Sequence, residues 1–369
     1  MVEMFPVTEN IELASLTTLG LGGPAQYLAT PSTMEELLAC LRWGEEQHLE
    51  RWILGGGSNV VIADEGLPGL VIQWSAEKRR VVKESGDFVD VQVEGGHDWD
   101  ALVAWSVGEN LAGIECLSGI PGSVGAAPIQ NIGAYGQELC ETFVKATVLD
   151  LETYTTSEWD AERCGFAYRH SALKPSAGRR YLVLDVTLQL TRNGEPAVRY
   201  RELQRTLESL EEPITLTLVR NIVLQLRRKK SMVFDPKDPN SHSAGSFFTN
   251  PILPSEDVVQ VRANLSHLLA EGQTMPVYPA GEGKEKIAAA WLIERAGFTK
   301  GTRWGSVGIS EKHALALVNK GGGTTQELLT AARRIQRQVL ERTGVLLQPE
   351  PVFLAEHGVT LEDFDVSLG

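Results

Sequence analysis

The chain has 369 residues, 43% apolar and 22% charged, a balance that supports buried cores in two or three domains and excludes wholesale disorder. Its 34 Lys and Arg against 48 Asp and Glu give 34 − 48 = −14. That balance argues against a general nucleic-acid binder, and any anion site must concentrate its own positive charge.

No apolar run approaches the roughly 18 residues needed to cross a bilayer. MVEMFPVTEN lacks the basic and then apolar pattern of a signal peptide. Four cysteines (Cys40, Cys116, Cys140, Cys164) form no CxxC pair, so no metal site or disulfide framework is expected and a reducing cytoplasm is. The first clear element is a helix: Ser32 and Glu35 make an S-x-x-E capping box ahead of MEELLACLRWGEEQHL, whose apolar positions recur at helical spacing. A short strand, RWIL, runs into Gly55-Gly56-Gly57-Ser58-Asn59 and then VVIA. FVDVQVEGG, with Phe88, Val91 and Val93 alternating imperfectly, is a half-buried strand, and Asp98 caps a helix through ALVAWSVGEN. The glycine-rich stretch 119–136 has no helical periodicity. FVKATVLDL and YLVLDVTLQL are strands, and 215–230 is a strand or helix closing on Arg227-Arg228-Lys229-Lys230. After a polar loop at 235–243, KEKIAAAWLIERAG reads as helix. Thr324 and Glu327 form a second capping box for a helix that closes at Gly344, and VLLQPEPVFL is a strand.

The run 55–59 follows a strand, and its small residues expose backbone N–H groups that can hold a phosphate or pyrophosphate. It matches neither the P-loop nor the dinucleotide-binding fingerprint, so alone it is equally well a tight turn. The second glycine-rich run adds weight. Its small side chains would make a poor core, yet they let backbone pass close to a large flat ligand. Two such loops in one chain favour a nucleotide-type cofactor.

LGGGSNVVI, GIECLSGIPGSVGAAPIQNIGAYGQE, FAYRHSALK, SAGSFFTNP and LLQPEPVFL occur in this order. With these motifs the chain closely resembles the UDP-N-acetylenolpyruvoylglucosamine reductase family, flavoenzymes of bacterial peptidoglycan precursor synthesis, from about Thr17 to Leu354. The resemblance implies an α+β fold with a two-part FAD-binding region of the vanillyl-alcohol-oxidase type. Its parts would be 1–75 with 345–369, reached by a returning C-terminal strand, and 76–230; an α+β substrate-binding domain would span 231–344. It implies non-covalent FAD held by Gly55, Gly56, Gly57, Ser58, Asn59, Pro121, Gly122, Ser123, Gly125, Ala126, Ile132, Gly133, Ala134 and Tyr135. It also implies NADPH as hydride donor and UDP-N-acetylglucosamine enolpyruvate as substrate, in a cytoplasmic enzyme with no nucleic-acid or membrane partner. Length and Tyr200, in AVRYREL, resemble the family's longer type, whose insert brings a substrate-contacting tyrosine.

In that family hydride reaches C3 of the enolpyruvyl group from flavin N5, and negative charge builds on C2 and the carboxylate. The protein must then stabilise that charge and protonate C2. Ser246, in AGSFF, matches the proton donor. Arg169, in YRHS, matches the arginine on the substrate carboxylate, for which a guanidinium fork is suited. Glu350, in QPEP, matches the glutamate opposite it, with Pro351 replacing a small apolar residue. Lys230 matches the substrate-holding lysine, with Lys229 as the adjacent alternative, and Asn250 resembles a substrate contact. His313 reads as part of a buried strand, and Cys116 is not expected to bond the flavin. Two other readings remain: a different FAD oxidoreductase of the same fold, acting on a sugar or lactone, and a non-catalytic nucleotide-binding protein.

Overall fold

Period-two alternation puts successive side chains on opposite faces of a strand, and in FVDVQVE the inward residues are Val89, Val91 and Val93, each at most 1% exposed. Phe88 lies on the other parity and is 51% exposed, so it is not part of the inward set expected for this strand. The computed structural model describes residues 5, 7–174, 178–210, 212–266, 269 and 274–356. They form two units of mixed helix and strand, the α+β content expected.

The first unit takes the chain up to Glu12, then Pro24–Ser58 and Gly66–Phe234. Among the described residues it contains two large sheets and a two-stranded ribbon of Gly133–Ala134 with Gln137–Glu138. One has the order Val7–Glu12, Pro24–Ala29, Leu67–Ile72, Arg51–Ile53; its first pair is antiparallel and the other two are parallel. The helix Met34–Glu46 makes the crossover and buries Leu37, Cys40 and Leu41 against Ala29, Leu70 and Ile72. The other sheet is antiparallel, with Thr155–Asp160, Phe143–Asp150, Tyr181–Arg192, Phe88–Glu94 and Arg79–Ser85 in that order. Its core takes in Trp99, Leu102 and Val103 from the helix Trp99–Gly108, and Val124, Ala127 and Ile132 from the glycine-rich stretch. The helix Leu216–Lys229, one of the two forms left open for 215–230, packs Val219, Val223 and Leu226 against Cys116 and against Leu203 and Leu207 of the helix Arg201–Glu208.

The second unit collects Leu13–Gly23, Asn59–Glu65 and the chain from Asp235. Two three-stranded antiparallel sheets and the helices Ser255–Leu265, Ala289–Arg295 and Thr325–Thr343 enclose a core that includes Phe247, Phe248, Leu328 and Ile335. Val60–Ile62 pairs in parallel with Val352–Leu354.

Several expectations need correction. The first helix is capped by Thr33, whose hydroxyl accepts from Glu36 N at 3.2 Å while the Glu36 carboxylate reaches back to Ser32 N. Consecutive Ser-Thr and Glu-Glu pairs allow the box in two registers, and Thr33 is the residue with extended backbone. Lys284–Ile287 is the central strand of a sheet and only Ala289–Arg295 is helical. Pairing on both edges overrides the helical preference of KEKI. In the tail only Val352–Leu354 is a strand, because Pro349 and Pro351 offer no amide to a ladder. His313 lies in a turn before the strand Leu317–Asn319, its carbonyl accepting from Ala316 N at 3.1 Å. The two compact units are drawn along lines other than those of the three expected domains, and the expected division stays open. Val345 and Leu347 share a core with Phe247 and Leu328, which draws the described part of 345–369 into the second unit; residues beyond 356 lie outside the described set. The two sheets divided at 75/76 lie within one unit.

Candidate active site

The first unit brings the two glycine runs side by side. A Cβ on Gly56 would stand 2.6 Å from Gly122 Cα, and one on Gly122, at φ +118°, would stand 2.6 Å from Ser58 Oγ. No side chain fits at either position, so backbone lines the contact. The Ser58 hydroxyl donates to Pro121 O at 2.8 Å. Beneath the second run, Gly122 O accepts from Trp99 N at 3.0 Å, Val124 N donates to His97 O at 2.9 Å and Gly125 N to Gly95 O at 2.8 Å. Gly55 stands over Ser123 and Ala126, which a Cβ would meet at 3.3 and 3.1 Å. The result is one backbone-lined surface carrying the Ser58 and Ser123 hydroxyls, a surface that fits the phosphates and flat ring system of a flavin nucleotide. Asn59 follows Ser58 in the chain. It lies in the second unit, where its amide donates to Glu350 O at 3.4 Å and its carbonyl accepts from Val352 N at 3.0 Å.

Asn131 ties this surface to the YRHS loop. Left-handed at φ 47°, it accepts from Cys140 N at 3.0 Å and donates to Glu138 at 2.9 Å and to Ala167 O at 3.3 Å. Arg169 follows at φ 54°, its guanidinium donating to Gly133 O at 2.6 Å and lying 3.5 Å from Asn131 O. Beside Gly133 stand Ala134 and Tyr135. The Tyr135 ring meets Tyr200 edge-on, with centroids 5.4 Å apart at 83°, and the Lys230 ammonium lies 5.8 Å from its centroid. Burial pushes the Tyr135 hydroxyl up to about 12, so it is neutral. Lys230 is also 2.6 Å from Glu202, while Lys229 is exposed. The structure therefore brings Tyr135, Tyr200 and Lys230 together, with Arg169 held against Gly133 two residues before Tyr135.

Arg227, singled out before only as part of a basic run, is 9% exposed, and its Nε has no hydrogen-bond partner among the described residues. Burial pulls it down to about 10, which leaves it a cation at neutral pH. Its helix is held by Arg220, whose fork grips Asp100 at 2.6 and 2.9 Å while Asp100 accepts from Gly119 N at 2.6 Å. Burial raises the Asp100 carboxyl, but the Arg220 and Gly119 hydrogen bonds outweigh it and hold it below the usual carboxylate range.

The second unit, taken by itself, holds Ser246 and Glu350. Ser246 is half-buried in a loop whose flanks are pinned: Gly245 N donates to Ser243 Oγ at 3.2 Å, Phe247 N to Leu315 O at 2.8 Å and Thr249 N to Gln348 O at 2.9 Å. Gly245 needs its φ of +74° to make the turn. Glu350 N donates to Phe247 O at 2.8 Å, which sets the buried Glu350 next to the serine loop. Phe247 and Phe248, each 1% exposed, anchor the loop from below. Asn250 Oδ1 accepts from Ala289 N at 2.9 Å at the start of a helix. Cys116 is buried, and burial pushes its thiol up to about 12. It donates to Ala197 O at 3.0 Å and offers no thiolate.

Comparison with known proteins gives a consistent set of likenesses. Residues 236–354 match the model of the UDP-N-acetylenolpyruvoylglucosamine reductase C-terminal domain, and residues 25–157 match that of an FAD binding domain. UDP-N-acetylenolpyruvoylglucosamine reductase of Thermobifida fusca is 48% identical over 95% of this chain and 98% of its own. The reductase of Saccharopolyspora erythraea is 44% identical over 94% and 95%. The crystal structure of the Thermus caldophilus reductase superposes with a TM-score of 0.65 at 25% identity, covering 95% of this chain and all of that one.

Proposed function

The chain belongs to the UDP-N-acetylenolpyruvoylglucosamine reductase family, and from that premise we propose how its own side chains divide the work. It is a flavin-dependent oxidoreductase that reduces UDP-N-acetylglucosamine enolpyruvate with NADPH in bacterial peptidoglycan precursor synthesis. Bound FAD supplies the hydride, drawn from NADPH, that ends on C3 of the enolpyruvyl group. We assign the FAD to the first unit, at Gly55, Gly56, Gly57, Ser58 and the segments 121–126 and 132–135. Arg169 takes the substrate carboxylate, where its two parallel N–H donors match the two oxygens on which charge develops. Lys230 meets the diphosphate, and Tyr200 closes over the sugar nucleotide. Ser246 gives its proton to C2, and Glu350 supports that transfer from the adjoining segment.

The observation that carries this assignment is the hydrogen bond from Glu350 N to Phe247 O, which locks the serine loop to a glutamate about a hundred residues away in sequence. Among the described residues no helix is long and apolar enough to cross a membrane, and we place the reaction in the cytoplasm, where NADPH and nucleotide sugars are made. The test is anaerobic: reduce the flavin-loaded protein with NADPH, remove the excess, and add the enolpyruvyl nucleotide. Stoichiometric reoxidation is expected in the wild type and a slow one in Ser246→Ala. Equal reoxidation rates in the two proteins would remove Ser246 from the reaction.

A further inference from the structure

We propose that Glu115 is a positioning residue for Tyr200, its buried carboxylate holding the segment that carries the tyrosine through the backbone of Ala197. This rests on the reading of Tyr200 as a substrate contact. Residues 194–199 form neither helix nor strand, so the polar backbone groups there need partners from outside the segment. Ala197 finds both on adjacent residues: its N–H donates to Glu115 Oε1 at 2.7 Å, and its carbonyl accepts from the Cys116 thiol at 3.0 Å. Glu115 is 1% exposed. Its other oxygen accepts from Gly113 N at 2.8 Å, and Gln137, whose Oε1 accepts from Cys116 N at 2.9 Å, donates to Oε1 at 3.4 Å.

These partners are all uncharged N–H donors. Burying a carboxylate among neutral donors is costly, and the hydrogen bonds it accepts are what offset that cost. What the carboxylate adds is two acceptor oxygens, one for the turn at Gly113 and one for Ala197. A glutamine would turn an NH₂ group toward one of those N–H donors. Three residues beyond Ala197, Tyr200 is 46% exposed and meets the Tyr135 ring, beside which Lys230 lies. Packing alone thus holds the tyrosine only in part. Gln204, donating to Val198 O at 3.0 Å, and Arg199, paired with Glu141 at 2.6 Å, extend the grip along the same segment.

The test is a double-mutant cycle on the flavin-loaded protein, with KM for the enolpyruvyl nucleotide and the rate of flavin reduction by NADPH measured separately. Glu115→Gln is expected to raise KM by roughly three- to tenfold while leaving flavin reduction within about twofold of wild type. Tyr200→Ala is expected to raise KM as well, and adding Glu115→Gln to it should change KM by less than about twofold. If Tyr200→Ala raises KM but Glu115→Gln does not, or if the two effects multiply fully, the positioning role is wrong and the tyrosine contact stands. If Tyr200→Ala leaves KM unchanged, the contact itself is wrong and the proposal falls with it. Should Glu115→Gln fail to fold, Cys116→Ala, which removes the donor to Ala197 O, takes its place in the cycle. A KM that then stays put, or moves equally in both backgrounds, overturns the proposal.

Discussion

A serine hydroxyl is a weak acid, so what surrounds Ser246 matters as much as its identity. Its loop is pinned on both flanks and joined to the Glu350 segment, which fixes the backbone that carries the hydroxyl. Ser246→Ala is expected to leave flavin reduction by NADPH near wild type and to slow substrate reduction by about 10²–10⁴-fold, the usual worth of a general acid. Stopped-flow traces of the two half-reactions check this, and equal slowing of both would mark the serine as structural. Arg169→Lys separates charge from geometry. Either residue must accept a φ near 54°, so the loop should survive, but an ammonium cannot reproduce a fork on two oxygens. Turnover should fall at least about tenfold, a loss of ~1.4 kcal/mol in transition-state binding. Turnover at the wild-type rate would place Arg169 outside the reaction centre.

Among the elements, the paired glycine loops make the sharpest demand. Gly56→Ala adds one methyl where Gly122 Cα stands 2.6 Å away, so the loops must part. Overpacking of this kind costs ~1–3 kcal/mol, equivalent to roughly a 5- to 150-fold loss of FAD affinity if it falls on the bound state. The flavin-to-protein absorbance ratio after dialysis measures it, and full occupancy would show the contact to be a turn and nothing more. Elements with their own local signals were readable in advance. Thr324 and Glu327 form the capping box as expected, with Gly344 left-handed at the other end of that helix, and Asp98 caps through its bond from Ala101 N. KEKI was not readable, because its strand character comes from neighbours on both edges. The same limit governs the site. The motifs named Ser246, Arg169 and Glu350, yet nothing local announces that Phe247 O meets Glu350 N. Glu115 went unnoticed because its partners, Gly113 and Ala197, are backbone groups that leave no side-chain pattern.

At the scale of the molecule, pH should act through the Asp100–Arg220 grip. The folded-state value of Asp100 is depressed, so its contribution to stability is present above the unfolded value near 3.9 and is lost as pH falls through the folded value. Asp100→Asn should cost about 1–2 kcal/mol at pH 7, a modest figure because the carboxylate side chain is 34% exposed. The deficit should shrink as pH falls below the unfolded value, because the unfolded chain takes up the proton there while the native carboxylate holds its charge to lower pH. Denaturant melts at pH 7 and below the unfolded value decide it, and a deficit independent of pH would assign the loss to packing. The parallel pair of Val60–Ile62 with Val352–Leu354 sets a different kind of constraint, one of time. The two strands begin 352 − 60 = 292 positions apart. At a synthesis rate of ~5–20 residues per second, the first waits roughly 15–60 s on the ribosome before the second has been made. Throughout that interval Val61 and Ile62, almost wholly buried in the finished protein, have no partner strand, which makes this short apolar stretch the place where a nascent chain would call on a chaperone.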